Sequence, residues 1–301
     1  MIRGRAIPQF IVPLSIVTIN ATIWTILIKI PFKESFEVDS EPWASIYTLV
    51  LTTALAFLLV FRLNRVAIRW WDCRQMWGII VANVRILANG ILEYTNHAPH
   101  CRDDAISWLA GYLISVKQHI RHDKSYDDDE LAGFLSKAQV DALAAAAHPC
   151  LYATSEIRHA LKMAFTVTAD TPAGLGASHS SDMRLMDKSL HILIDNMGGL
   201  ERVRSTPLPI AFITHLRTFI MFYLLSLPYL YGHTWGWGTI PAVFLTAYAL
   251  LGIDGAASEC ESPFEKRANH LYQEGFCLTA MNDIEQLVIH NDNMQRRRSP
   301  E

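Results

Sequence analysis

The stretch PWASIYTLVLTTALAFLLVF, Pro42 to Phe61, is followed at once by Arg62-Leu-Asn-Arg65-Val-Ala-Ile-Arg69. It runs twenty positions without Asp, Glu, Lys or Arg, and then Arg62, Arg65, Arg69 and Arg74 arrive together. About 20 apolar residues in a helix span roughly 30 Å of hydrocarbon. Arginines clustered after such a span mark the end that stays inside. This stretch therefore predicts a membrane helix with a basic inner end.

Working outward, the uncharged run Ala6 to Ile28 covers 23 residues, longer than the apolar region of a signal peptide, and no A-x-A cleavage pattern follows it. It predicts a first span over about Ile7 to Ile30, ahead of the second over about Trp43 to Phe61. From Thr218 to Ile253 another 36 residues carry no Asp, Glu, Lys or Arg, with Pro228, Gly232, Gly236 and Gly238 supplying a break. A third span is expected at about Leu208 to Tyr231 and a fourth at about Trp237 to Gly255. Arg217 lies within the third, where a bare charge is costly, so it should face protein or water.

Between the first two spans, Pro31 to Glu41 carries one Lys against four acids, whereas arginines follow the second span and end the chain at Arg296 to Arg298. The asymmetry places both termini and the long middle region inside, cytosolic or its stromal or matrix equivalent. Net charge is −3, which supplies no global field for nucleic acid. Five scattered cysteines form no C-x-x-C pair, so neither a disulfide framework nor a zinc motif is indicated.

The middle region reads as helical. Val81, Val84, Leu87, Ala88 and Leu92 recur at helical spacing, as do Ile106, Leu109, Ala110, Leu113 and Ile114. Asp127 to Glu130 reads as a solvated loop and helix start, Thr168 to Ser181 as a flexible connector. The fold class is all-α: four transmembrane helices plus an inside helical bundle. Its parts are 1–61 with the first two spans, 62–206 inside, 207–257 with the last two spans, and 258–301 as a helical tail.

Several strings then stand out in order: Phe61-Arg-Leu-Asn-Arg65 leading into Arg69-Trp-Trp, then Trp77-Gly78, Gly198-Gly-Leu-Glu-Arg202, Thr206-Pro-Leu-Pro209 and Ser258-Glu-Cys-Glu-Ser-Pro263-Phe264. Together with the four spans, this set resembles the bestrophin and bestrophin-like family of ion channels, over roughly Ile7 to Glu285. The resemblance implies a homopentamer around one central pore in the bilayer, and Phe57 and Phe61 in such a pore lean it towards anions such as chloride. It implies a hydrophobic neck at Thr53, Phe57 and Phe61, matched through the Phe-Arg-Leu-Asn-Arg string, and a cytosolic constriction at about Ser181. Spacing of four independently keeps the three neck positions on one helix face, although aromatics at such spacing also serve ordinary packing. Thr53 departs from the family's usual apolar residue and makes the outer end of the neck wetter; Ser181 departs in the same sense. Arg62, Arg65 and Arg69 sit at the inner mouth, either concentrating anions or pairing with carboxylates. Calcium-activated members carry an acidic run after Pro-Phe; here Lys266 and Arg267 stand in it, and calcium requires oxygen ligands. No calcium clasp is expected, and Glu259, Glu261 and Glu265 are expected to cap helices or pair with arginines.

Other classes fit less well. The pairs His97/His100 and His119/His122 have helical spacing but no surrounding metalloenzyme motif, so they are read as solvated histidines; no metal, cofactor or catalytic residue is expected. Four dissimilar spans lack the inverted repeats of a secondary transporter. A sodium or other monovalent-cation channel of the same fold, and a non-conducting scaffold, remain the alternatives.

Overall fold

The structure, a computed structural model, describes residues 7–29, 41–123, 128–131, 133–166 and 173–298. The acidic linker (31–40), Asp127 and the start of the connector (168–172) lie outside the described residues. Among those described, the secondary structure is helical throughout, with no strand. The chain divides into two compact units, residues 1–71 with 206–270 and residues 72–205 with 271–301.

The first unit holds α1 (Ile7–Lys29), the start of α2 (Glu41–Tyr94), α8 (Ile210–Trp235) and α9 (Thr239–Cys260), with a single 3-10 turn, Gly236–Gly238, between the last two. α1 packs on α8 and α9, and α8 on α9. Their shared core includes Val17, Ala21, Leu55, Leu59, Leu224 and Ala247. Gly236 ends α8 at φ 54°, a left-handed conformation that favours a residue without Cβ. Hydroxyl pairs tie α2 to α8: Tyr47 with Ser226 (3.1 Å), Thr52 with Tyr223 (3.1 Å) and Tyr231 with Thr48 (2.9 Å). Such bonds between helices in lipid contribute about 0.6–2 kcal/mol each.

Among the described residues, three apolar stretches are long enough to cross a membrane: Phe10–Lys29, Ser45–Tyr94 and Ile210–Cys260, the last broken by the 3-10 turn. Ile11, Ile19 and Ile23 on α1, Val50 and Phe57 on α2, and Phe222 and Leu245 on α8 and α9 are all exposed. Apolar faces of this extent suit lipid rather than water. This is a membrane protein. With 54 residues, α2 is about 80 Å long at 1.5 Å per residue, far more than one hydrocarbon layer.

The second unit contains the rest of α2, α3 (Pro99–Arg121), α4 (Asp128–Leu131), α5 (Lys137–Ala145), α6 (Pro149–Ala164), α7 (Ala173–Ser205) and α10 (Gln273–Arg298). Trp77, Ile80, Val84, Leu87 and Ile91 are buried along one face of α2, at alternating steps of three and four. α3 is its central element, buried nearly all round from Ala105 to Gln118 and packed on α6, α7 and α10. Local chemistry sets the ends: Pro99 and Pro149 start α3 and α6, where a missing N–H costs nothing, and Ser136 with Gln139 forms a reciprocal capping box on α5. Gly199 lies against the Met76 thioether, which would have to move to admit a Cβ there. Because α7 begins at Ala173, residues 173–181 are helical rather than part of a connector.

Candidate functional site

On a helix turning about 100° per residue, Thr53, Phe57 and Phe61 fall within about 80° of one another, and Leu55, Leu59 and Arg62 centre roughly opposite. The burial pattern follows this division. Leu55 and Leu59 are 1% and 4% exposed in the core of the first unit, while Phe57 is 71% and Phe61 46% exposed. The Thr53 hydroxyl donates to the Leu49 carbonyl at 2.8 Å, which satisfies its proton inside its own helix and leaves its oxygen on the open face. Phe61 meets Phe212 edge to face at 6.2 Å, and the Arg65 guanidinium lies 5.7 Å from the Phe61 ring centre.

The three arginines of the basic end separate. Arg65 is exposed and Arg69 half-buried. Arg62 instead turns into the first unit, where its side chain is 1% exposed and pairs with Asp254 of α9. It also donates to the Ser258 hydroxyl at 3.0 Å. Arg217 of α8 reaches the same two groups, donating to Asp254 at 2.9 Å and to Ser258 at 2.7 Å. One carboxylate thus serves two arginines, and the Ser258 hydroxyl donates to the Asp254 backbone carbonyl at 3.0 Å. The sequence required Arg217 to face protein or water; it faces Asp254, the first acid after the long uncharged run.

After α9, Glu261 accepts from the Leu208 N–H at 3.0 Å, Glu259 accepts from the Asn269 amide at 2.5 Å, and Glu265 pairs with Arg267 at 2.8 Å. The His270 Nδ1 accepts from the Glu265 N–H at 2.9 Å, and burial above all lowers its pKa, which keeps that nitrogen an acceptor.

In the second unit, Ser181 is exposed on α7. Glu130 of the acidic run is not merely solvated: it takes a bidentate contact at 2.5–2.6 Å from Lys117, which is 2% exposed. Arg121 and Glu274 form a second forked pair, at 2.5 and 2.9 Å, which holds the Glu274 carboxyl down at about 2. Of the four histidines read as solvated groups, one departs from that reading. His97, His100 and His122 are exposed, His97 also donating to the Ala164 carbonyl at 2.8 Å, whereas His119 is half-buried and meets Glu201 at 2.5 Å. His148 also reaches Glu201, at 3.1 Å.

The family described as Bacterial/Fungal Bestrophin protein matches residues 1–286. A voltage-dependent anion channel-forming protein of Nostoc sp. is 27% identical over 252 residues, covering 82% of this chain and 79% of that protein. One of the same description from Mesorhizobium japonicum is 29% identical over 225 residues, covering 74% and 68%. Among solved structures, a point mutant of a bacterial bestrophin homolog from Klebsiella pneumoniae superposes with a TM-score of 0.79 at 21% identity, covering 93% of this chain and 99% of that one. The chain belongs to the bacterial and fungal bestrophin family.

Proposed function

We propose that this protein is an anion channel, conducting chloride passively through a pore formed by five copies of the chain. The observation that carries this reading is the division of α2: one face is packed inside the first unit, and the opposite face presents Phe57, 71% exposed, in line with Thr53 and Phe61. Five such faces around an axis make three stacked rings. Support also comes from relatives across most of the chain that are described as voltage-dependent anion channel-forming proteins. In this reading the chain crosses the bilayer four times, with α1, the first part of α2, α8 and α9. Residues 62–206 and 258–301 lie on the inner side with both termini.

Conduction rather than catalysis follows from what lines the path. Aromatic rings around a narrow neck exclude water when it is tight, closing the pore without a plug. When wider, they turn the positive edges of their quadrupoles towards the axis, which favours weakly hydrated anions over cations. Thr53 keeps the outer end of the neck wet. Arg65 and Arg69 supply positive charge at the inner mouth, while Arg62 turns into the first unit and shares the Asp254 carboxylate with Arg217. Ser181 forms a polar inner constriction on α7. The test is chloride efflux from vesicles containing the purified protein, together with its mass by native mass spectrometry. Efflux dependent on a particle of five chains is expected; efflux from a particle of another size removes the five-fold neck.

A further inference from the structure

Three helices of the second unit bring together two imidazoles and a carboxylate. His119 projects from the last turn of α3, His148 caps α6, and Glu201 lies on α7. Both histidines address the same oxygen: His119 Nε2 is 2.5 Å and His148 Nε2 3.1 Å from Glu201 Oε1. The two rings lie 4.6 Å apart at 30°, and one ligand atom from each of the three residues falls within 4.8 Å of the others. The side chains are 24%, 30% and 34% exposed, so an ion can reach them from water. We infer that His119, His148 and Glu201 form a binding site for a zinc-class divalent cation, with three protein ligands and a fourth position open to water.

The donor set decides the class of ion. Two imidazole nitrogens and one carboxylate oxygen match the open coordination of zinc, whereas calcium and magnesium require oxygens almost exclusively. Metal–ligand distances of about 2.0–2.2 Å place tetrahedral ligand atoms roughly 3.3–3.5 Å apart. The two separations to Glu201 are shorter, so an ion would lengthen each by about 1 Å or less, within reach of half-exposed side chains. Each histidine must offer Nε2 as a lone pair, so the proton that now binds Glu201 moves to Nδ1 or leaves to solvent. For His148 this gives up the 3.4 Å bond from the Leu151 N–H to Nδ1, a long and weak one. Cys150, two residues from His148, does not complete the set. It is fully buried and lies outside the group of mutually close ligand atoms.

The ion would fasten α3, α6 and α7 together near the end of α7, whatever the pore conducts. Zinc titration of the purified full-length protein, stripped with chelator, tests the site by calorimetry and thermal melting. One zinc per chain is expected, with a rise in melting temperature. Glu201→Gln and His148→Asn, the latter keeping an acceptor at the helix cap, should each weaken binding at least tenfold, the least that follows even from losing a residue that only orients a ligand. His100→Ala should change nothing. Cobalt on the unaltered protein should give the intense visible absorption of a four-coordinate ion. Unsaturable zinc uptake by the unaltered protein, or equal affinity in both variants, overturns the site.

Discussion

Arg62 and Asp254 form an ion pair inside the packed helices of the first unit, with the arginine side chain only 1% exposed. Removing one partner of a buried pair leaves a stranded charge, at a cost of about 3–5 kcal/mol. Asp254→Asn strands both Arg62 and Arg217, and should lower the melting temperature of the purified protein sharply or abolish its assembly. Arg217→Met, whose side chain is 51% exposed, should cost distinctly less than Arg62→Met. Equal losses would mean that burial does not govern the pair.

Phe57→Ala combined with Phe61→Ala deletes the proposed apolar rings and leaves Leu55 and Leu59 of the packed face in place. Single-channel conductance or open probability should rise, since a wider neck stays wet. Stability should change little, because Phe57 is exposed within the chain. Unchanged currents would remove both residues from the conduction path.

Arg65→Gln with Arg69→Gln tests the inner mouth. Lower anion conductance is expected, with the difference from the parent shrinking as salt rises and screens the field within about 10 Å. Conductance that is indifferent to these substitutions at low salt assigns the arginines a purely structural role.

Glu274 sets a pH limit on the second unit. Its carboxyl is held at about 2 by the forked bond from Arg121, below the ordinary value of 4.5. A depressed carboxylate stabilises the fold above the unfolded pKa and loses that contribution as pH falls from 4.5 towards 2. Glu274→Gln should therefore melt lower than the parent at pH 7, with the gap narrowing through this acid window. A gap independent of pH would show that the substitution acts by packing alone.

The α2 run, the helical spacing of Val84 to Leu92 and of Ile106 to Ile114, and the break at Gly236 were legible because they are local patterns, and each corresponds to a helix face or a helix end. Thr53, Phe57 and Phe61 were singled out by the resemblance, and their spacing of four sets them on one helix face. What joins distant segments was not. Arg62 and Asp254 lie far apart in sequence, and only packing α2 on α9 turns the first arginine of a basic cluster away from its neighbours. The lone acid closing an uncharged run was the available signal. The His119, His148 and Glu201 cluster needs three helices, and helical spacing pointed to His122, which is exposed at the left-handed end of α3.

The reversal potential of the purified protein in a planar bilayer under a sodium chloride gradient tests anion conduction most directly. A value close to the chloride equilibrium potential, moved little by replacing sodium with a bulky cation, is the predicted result. A value close to the sodium equilibrium potential would contradict it, keeping the fold but making the pore a cation channel.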